Sequence, residues 1–78
     1  IKEKWLAFNW NVCEINGHSF KEIKRAFNMF YKSKSKPTLI IANTIKGKGI
    51  SFMENDPSWH SKKIEKHEFE KAIKEIQI

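Results

Sequence analysis

The chain has 78 residues, 40% of them hydrophobic and 31% charged, and its 15 Lys and Arg against 9 Asp and Glu give a net charge of +6. Such a composition excludes a disordered polymer, and no apolar run reaches the roughly 20 residues that span a bilayer, which leaves one small globular piece at most. Arg25 is the only arginine, so the forked donor that reads base edges and grips phosphates bidentately is nearly missing, which argues against nucleic acid as the partner. Cys13 is single and lies in an apolar run, as expected of a buried, reduced thiol. With no secretory h-region at Ile1-Lys2-Glu3-Lys4, a cytoplasmic location and no membrane partner are expected.

In chain order, Lys2 to Asn9 reads as the last turns of a helix, with Trp5 and Phe8 on one face and no N-cap before them. Trp10 to Ile15 is rich in strand formers and ends at the turn signal Asn16-Gly17. Ser19 and Glu22 make a capping-box pattern ahead of Phe20, Ile23, Phe27 and Phe30, so a helix is expected to about Tyr31 or Lys32. The stripe Phe20, Phe27 and Phe30 is expected to be core or subunit interface. Pro37 closes a polar connection, and Thr38-Leu39-Ile40-Ile41-Ala42 then has the unbroken apolar pattern of a strand covered on both faces.

Strand, helix, strand is a βαβ unit and predicts a parallel pair. A connection from about Lys46 to Lys63 follows, far longer than an ordinary α/β loop, which points to a functional role. Phe69, Ala72, Ile73 and Ile76 then predict an amphipathic helix from about Glu65 to Ile76. The order αβαβα has no internal repeat. Two strands leave two sheet edges open, so the chain is expected to be an α/β fragment of a larger parallel sheet.

Ligands of open α/β sheets bind beyond the carboxyl ends of strands, and the Gly47/Gly49 loop leaves the second strand at that end. Glycines there permit positive φ and close approach of a ligand. Lys46 and Lys48 favour an anion, although solvated lysines explain them as well. Trp59 is expected to anchor the loop, Asn55-Asp56-Pro57 to make a turn, His18 to serve local hydrogen bonding, and His67 to be solvated. Glu54 and Asp56 have no identifiable acid-base partner, and the three histidines and Cys13 lack metal-ligand spacing, so no metal site is expected within the chain.

Lys36-Pro37-Thr38-Leu39-Ile40-Ile41-Ala42, Thr44, Lys46-Gly47-Lys48-Gly49-Ile50-Ser51, Glu54 and Trp59-His60 resemble the thiamine diphosphate domain of transketolases. Phe8-Asn9-Trp10-Asn11-Val12, Glu14 and Asn16-Gly17-His18-Ser19 carry the resemblance upstream. It implies that residues 1–78 are the carboxyl-terminal part of that domain, the last third of the N-terminal segment or subunit. The implied activity is transfer of a two-carbon ketol unit between sugar phosphates through thiamine diphosphate and Mg2+, with the isolated chain inactive. His60 would orient substrate and assist proton transfer, a duty suited to imidazole. Thr44, Ile45, Lys46, Gly47 and Gly49 would form part of the cofactor wall. The metal ligands would lie in the remainder of the domain, and a C-terminal transketolase segment or subunit would complete the enzyme. The family commonly has lysine at the position of Asn43 and glycine at that of Ser61. The alternatives are a small lysine-rich binding module and an assembly piece without catalysis.

Overall fold

A computed structural model describes residues 1–77. Its elements are α1 (Lys2–Ala7), β1 (Asn11–Asn16), α2 (Phe20–Lys32), β2 (Thr38–Asn43), a 3₁₀ turn (Pro57–His60) and α3 (Lys66–Ile76). The expected order αβαβα is present, and the expected α/β class is what the chain adopts. Ile78, the last residue of the expected 1–78 span, lies outside the described residues. The chain divides into two compact units, the first Ile1–Thr44 and the second beginning at Ile45.

In the first unit, Asn9 adopts φ 68°, the left-handed conformation that ends a helix, and stops α1 earlier than its apolar spacing suggests. Trp5 packs edge-on against Trp10 at 4.7 Å between ring centroids. The two strands pair in parallel with Asn11 opposite Thr38 and Asn16 opposite Asn43, and α2 forms the crossover. The Ser19 hydroxyl caps α2 by accepting the Glu22 N–H at 3.2 Å. Glu22 reaches back to accept the Asn16 N–H at 3.0 Å, fixing the strand-to-helix corner.

Cys13 and Ile15 of β1 and Ala26 of α2 form the buried core, flanked by Ile23, Met29 and Ile40. Cys13 is a free, buried thiol, as expected. The aromatic stripe of α2 is not core within this chain. Phe20 is 88% exposed, Phe27 48% and Phe30 45%, because the small Ala26 lets Ile23 and Met29 bring that side of the helix against β1. Likewise β2, read as covered on both faces, is only half-buried from Thr38 to Ile41, since among the described residues β1 alone pairs with it.

In the second unit, Glu68 accepts the Glu65 N–H at 2.9 Å at the start of α3. Ala72 is buried and Ile73 half-buried, whereas Phe69 and Ile76 are about half exposed. Among the described residues no helix is long and apolar enough to cross a membrane.

Candidate functional site

Thr44 ends the first unit and is exposed. Its neighbourhood explains Gly17, which sequence marks only as a turn residue. The Gly17 N–H donates to the Asn43 carbonyl at 2.7 Å, and a Cβ at Gly17 would lie 2.6 Å from the Thr44 Cγ2 and 3.1 Å from the Asn43 oxygen. Glycine is therefore needed for close approach of two backbones. Asn43 turns its amide to Glu14, donating from Nδ2 to Oε2 at 2.9 Å, so its side chain is engaged on the sheet.

Ile45 through Gly49 begin the second unit and form a tight, self-bonded loop. Lys48 donates its N–H to the Ile45 carbonyl at 3.1 Å, Ile50 to Gly47 at 3.2 Å, and Asn55 returns to Lys46 at 2.9 Å. Gly47 has φ 76° and Gly49 φ 105°, as the expected positive-φ roles require. The two glycines differ in surroundings. A Cβ at Gly47 would lie 2.6 Å from the Met53 carbonyl carbon, so Gly47 is required by the loop's own packing. At Gly49 a Cβ would meet nothing within 4 Å, which leaves an open face for a ligand to approach.

Two carboxylates complete the loop, and neither is marked for this role by the sequence. Glu54 Oε1 accepts the Gly49 N–H at 3.2 Å. Glu75, on the last turn of α3, accepts the Ser51 N–H at 3.1 Å on one oxygen and the Ser51 hydroxyl on the other. Two N–H groups in and just after the glycine loop, those of Gly49 and Ser51, are thus turned to carboxylates of the protein itself, while those of Lys48 and Ile50 go to backbone carbonyls.

His60 is the last residue of the 3₁₀ turn and is exposed. Asp56 caps that turn, accepting the Ser58 N–H at 3.0 Å and the Ser58 hydroxyl at 2.7 Å. These bonds, the side-chain one first, hold the Asp56 carboxyl below its ordinary value, with a smaller contribution from the Lys62 charge. Pro57 at the start of the turn supplies a φ already suited to it. Trp59 anchors the turn: its indole N–H donates to the Phe52 carbonyl at 3.2 Å, its ring tilts against Phe52 at 5.7 Å, and the Lys62 ammonium sits 4.4 Å from its centroid. The turn and the glycine loop are joined through Asn55, Asp56 and Trp59, whereas Thr44 belongs to the other unit.

Among the described residues no three His, Cys, Asp or Glu side chains converge as a metal site would need. Within the second unit the glycine loop presents an open face at Gly49 and the 3₁₀ turn an exposed imidazole at His60.

Residues 1–77 match the family described as the transketolase thiamine diphosphate binding domain. The chain belongs to that family. It is 37% identical over 76 residues to an apulose-4-phosphate transketolase subunit of Phocaeicola vulgatus, covering 97% of this chain and 27% of that protein. It is 38% identical over 77 residues to the 6-deoxy-6-sulfo-D-fructose transketolase subunit SqwG of a Clostridium species, covering 99% and 28% respectively. With human transketolase it shares 43% identity over 70 residues, which is 90% of this chain and 11% of that one. The chain therefore spans about a quarter of the length of the subunit relatives. As a transketolase-family segment it is one portion of a thiamine diphosphate-binding domain.

Proposed function

We propose that this chain is the carboxyl-terminal part of a transketolase-like thiamine diphosphate domain and supplies one wall of an active site that other segments complete. The observation that carries the reading is the family match over residues 1–77 combined with an exposed His60 held on a capped, anchored turn. Bound thiamine diphosphate supplies the carbanion chemistry of two-carbon ketol transfer between sugar phosphates. His60 orients the substrate hydroxyls and holds or passes a proton at an imidazole nitrogen. Thr44, Ile45, Lys46, Gly47 and Gly49 line the cofactor. Fixing the turn through Asp56 and Trp59 presents the imidazole without a large ordering cost at the moment of binding.

The partners are the remainder of the domain and a C-terminal transketolase segment or subunit, with Mg2+ held by ligands from that remainder. Support comes from the subunit names of two relatives, the two-stranded sheet with both edges open, and the exposed Phe20, Phe27 and Phe30. The isolated chain is inactive in this reading, and the assembled enzyme is cytoplasmic, in keeping with a reduced Cys13. In the assembled enzyme His60→Ala lowers ketol transfer by about 10²–10⁴-fold while thiamine diphosphate still binds. Undiminished transfer by that variant would remove His60 from the mechanism.

A second reading, a small lysine-rich binding module, rests on a groove of about 490 Å³ along α2 lined by Lys21, Lys24, Arg25, Asn28, Met29 and Lys32. Steeply salt-dependent binding to a polyanion, unaffected by thiamine diphosphate or partner protein, would favour it.

A further inference from the structure

We infer that Glu54 and Glu75 are positioning residues: their carboxylates take up the Gly49 and Ser51 N–H groups in and just after the glycine loop, so the loop meets the cofactor with its open face rather than with those N–H groups. This rests on the reading of the loop as cofactor wall. A glycine-rich loop beside lysines ordinarily suggests backbone amides gathered around a phosphate. Here the Gly49 N–H is directed to Glu54 at 3.2 Å and the Ser51 N–H to Glu75 at 3.1 Å. The Ser51 hydroxyl closes on the second oxygen of Glu75, making that contact two-pronged. Hydrogen bonds to ionised acceptors are the stronger kind, and a diphosphate placed on the same amides would also face two carboxylates of like charge.

What the loop leaves accessible is the side of Gly49, where no atom outside Gly49 and its two chain neighbours lies within 4 Å of the Cβ position, and the partly exposed Ile45. Contact with thiamine diphosphate there is by surface complementarity, and its shape depends on Glu54 and Glu75. Glu75 also ties the loop to a distant element. It stands on the last turn of α3, 24 residues from Ser51, so the terminal helix acts as a brace for the loop.

The test uses the assembled enzyme carrying Glu54→Ala, Glu54→Gln, Glu75→Ala or Glu75→Gln, read by amide hydrogen exchange over residues 48–55 and by kinetics against thiamine diphosphate concentration. Each alanine variant speeds exchange at its partner amide, Gly49 or Ser51, about tenfold. It also raises the apparent KM for thiamine diphosphate about tenfold with kcat held within about twofold, and each glutamine variant, which keeps one acceptor oxygen, recovers much of both. Inorganic pyrophosphate leaves exchange at Gly49 and Ser51 of the wild-type enzyme unchanged. Slowing of those two amides by pyrophosphate would overturn the inference, as would a loosened loop with an unaltered KM. Neither readout depends on proton transfer by His60, so the inference and the His60 assignment fail separately.

Discussion

Gly47→Ala isolates the physical reason for the glycine loop. The substitution places a Cβ on a backbone at φ 76°, a conformation that costs a non-glycine residue about 1–2 kcal/mol. The same Cβ would lie 2.6 Å from the Met53 carbonyl carbon and 2.9 Å from the Met53 Cβ. Because one of those neighbours is backbone, relief requires the chain at Met53 to move, which adds about 1–3 kcal/mol. The total, about 2–5 kcal/mol, falls on the closure of the loop by the Asn55 N–H on the Lys46 carbonyl. In amide hydrogen exchange on the assembled enzyme, the Asn55 amide should exchange at least about thirtyfold faster, the factor that corresponds to about 2 kcal/mol. Gly47→Asn separates the two terms: asparagine tolerates positive φ but carries the same Cβ, so it should be nearly as damaging as alanine. Exchange close to wild type in Gly47→Asn would refute the overlap with Met53 as the cause.

Gly17→Ala should destabilise the first unit by about 1–3 kcal/mol through contact of the new Cβ with Thr44, and Thr44→Ser, which deletes Cγ2, should recover part of that loss. Strictly additive melting shifts for the pair would show that the two positions do not meet. Acid should loosen the His60 turn. Because the folded Asp56 carboxyl lies below its ordinary value of 3.8, its stabilising contribution is complete above that value and is lost as pH falls through the lowered folded value. Exchange and chemical shift of the Ser58 amide report the loss, and Asp56→Ala should abolish it; an unchanged acid response in that variant would assign the transition to another group.

Most of the fold was legible because its signals are local. The α2 helix begins at Phe20, where the Ser19 cap places it, and β2 begins at Thr38, directly after Pro37. Caps, prolines and side-chain periods act within a few residues, and a sequence carries them whole. Burial was less legible. Periodicity correctly gave α2 an apolar stripe, but which part is covered depends on the small Ala26, and Phe20 stays at the surface. The site divides in the same way: glycines and the histidine turn are visible in sequence. Glu54, visible there as part of the family resemblance, and Glu75, which no sequence signal singles out, show no partner until folding brings them to Gly49 and Ser51.

The second unit shows why those acids matter. A long connection of turns and one 3₁₀ segment bonds only part of its backbone to itself, and the remaining groups, if held only by water, would let it sample many shapes. Here Glu54, Asp56 and Glu75 add to the backbone turn bonds, each accepting a backbone N–H, while Trp59 returns an N–H to the Phe52 carbonyl. The acids restrain the glycine loop and the His60 turn with few buried apolar side chains, and only Ala72 of this unit is a buried hydrophobic residue among those described. Such a device rigidifies a surface while leaving it uncovered. A larger apolar core beneath the loop would still leave its outer amides without fixed partners, so it could not substitute for these acids.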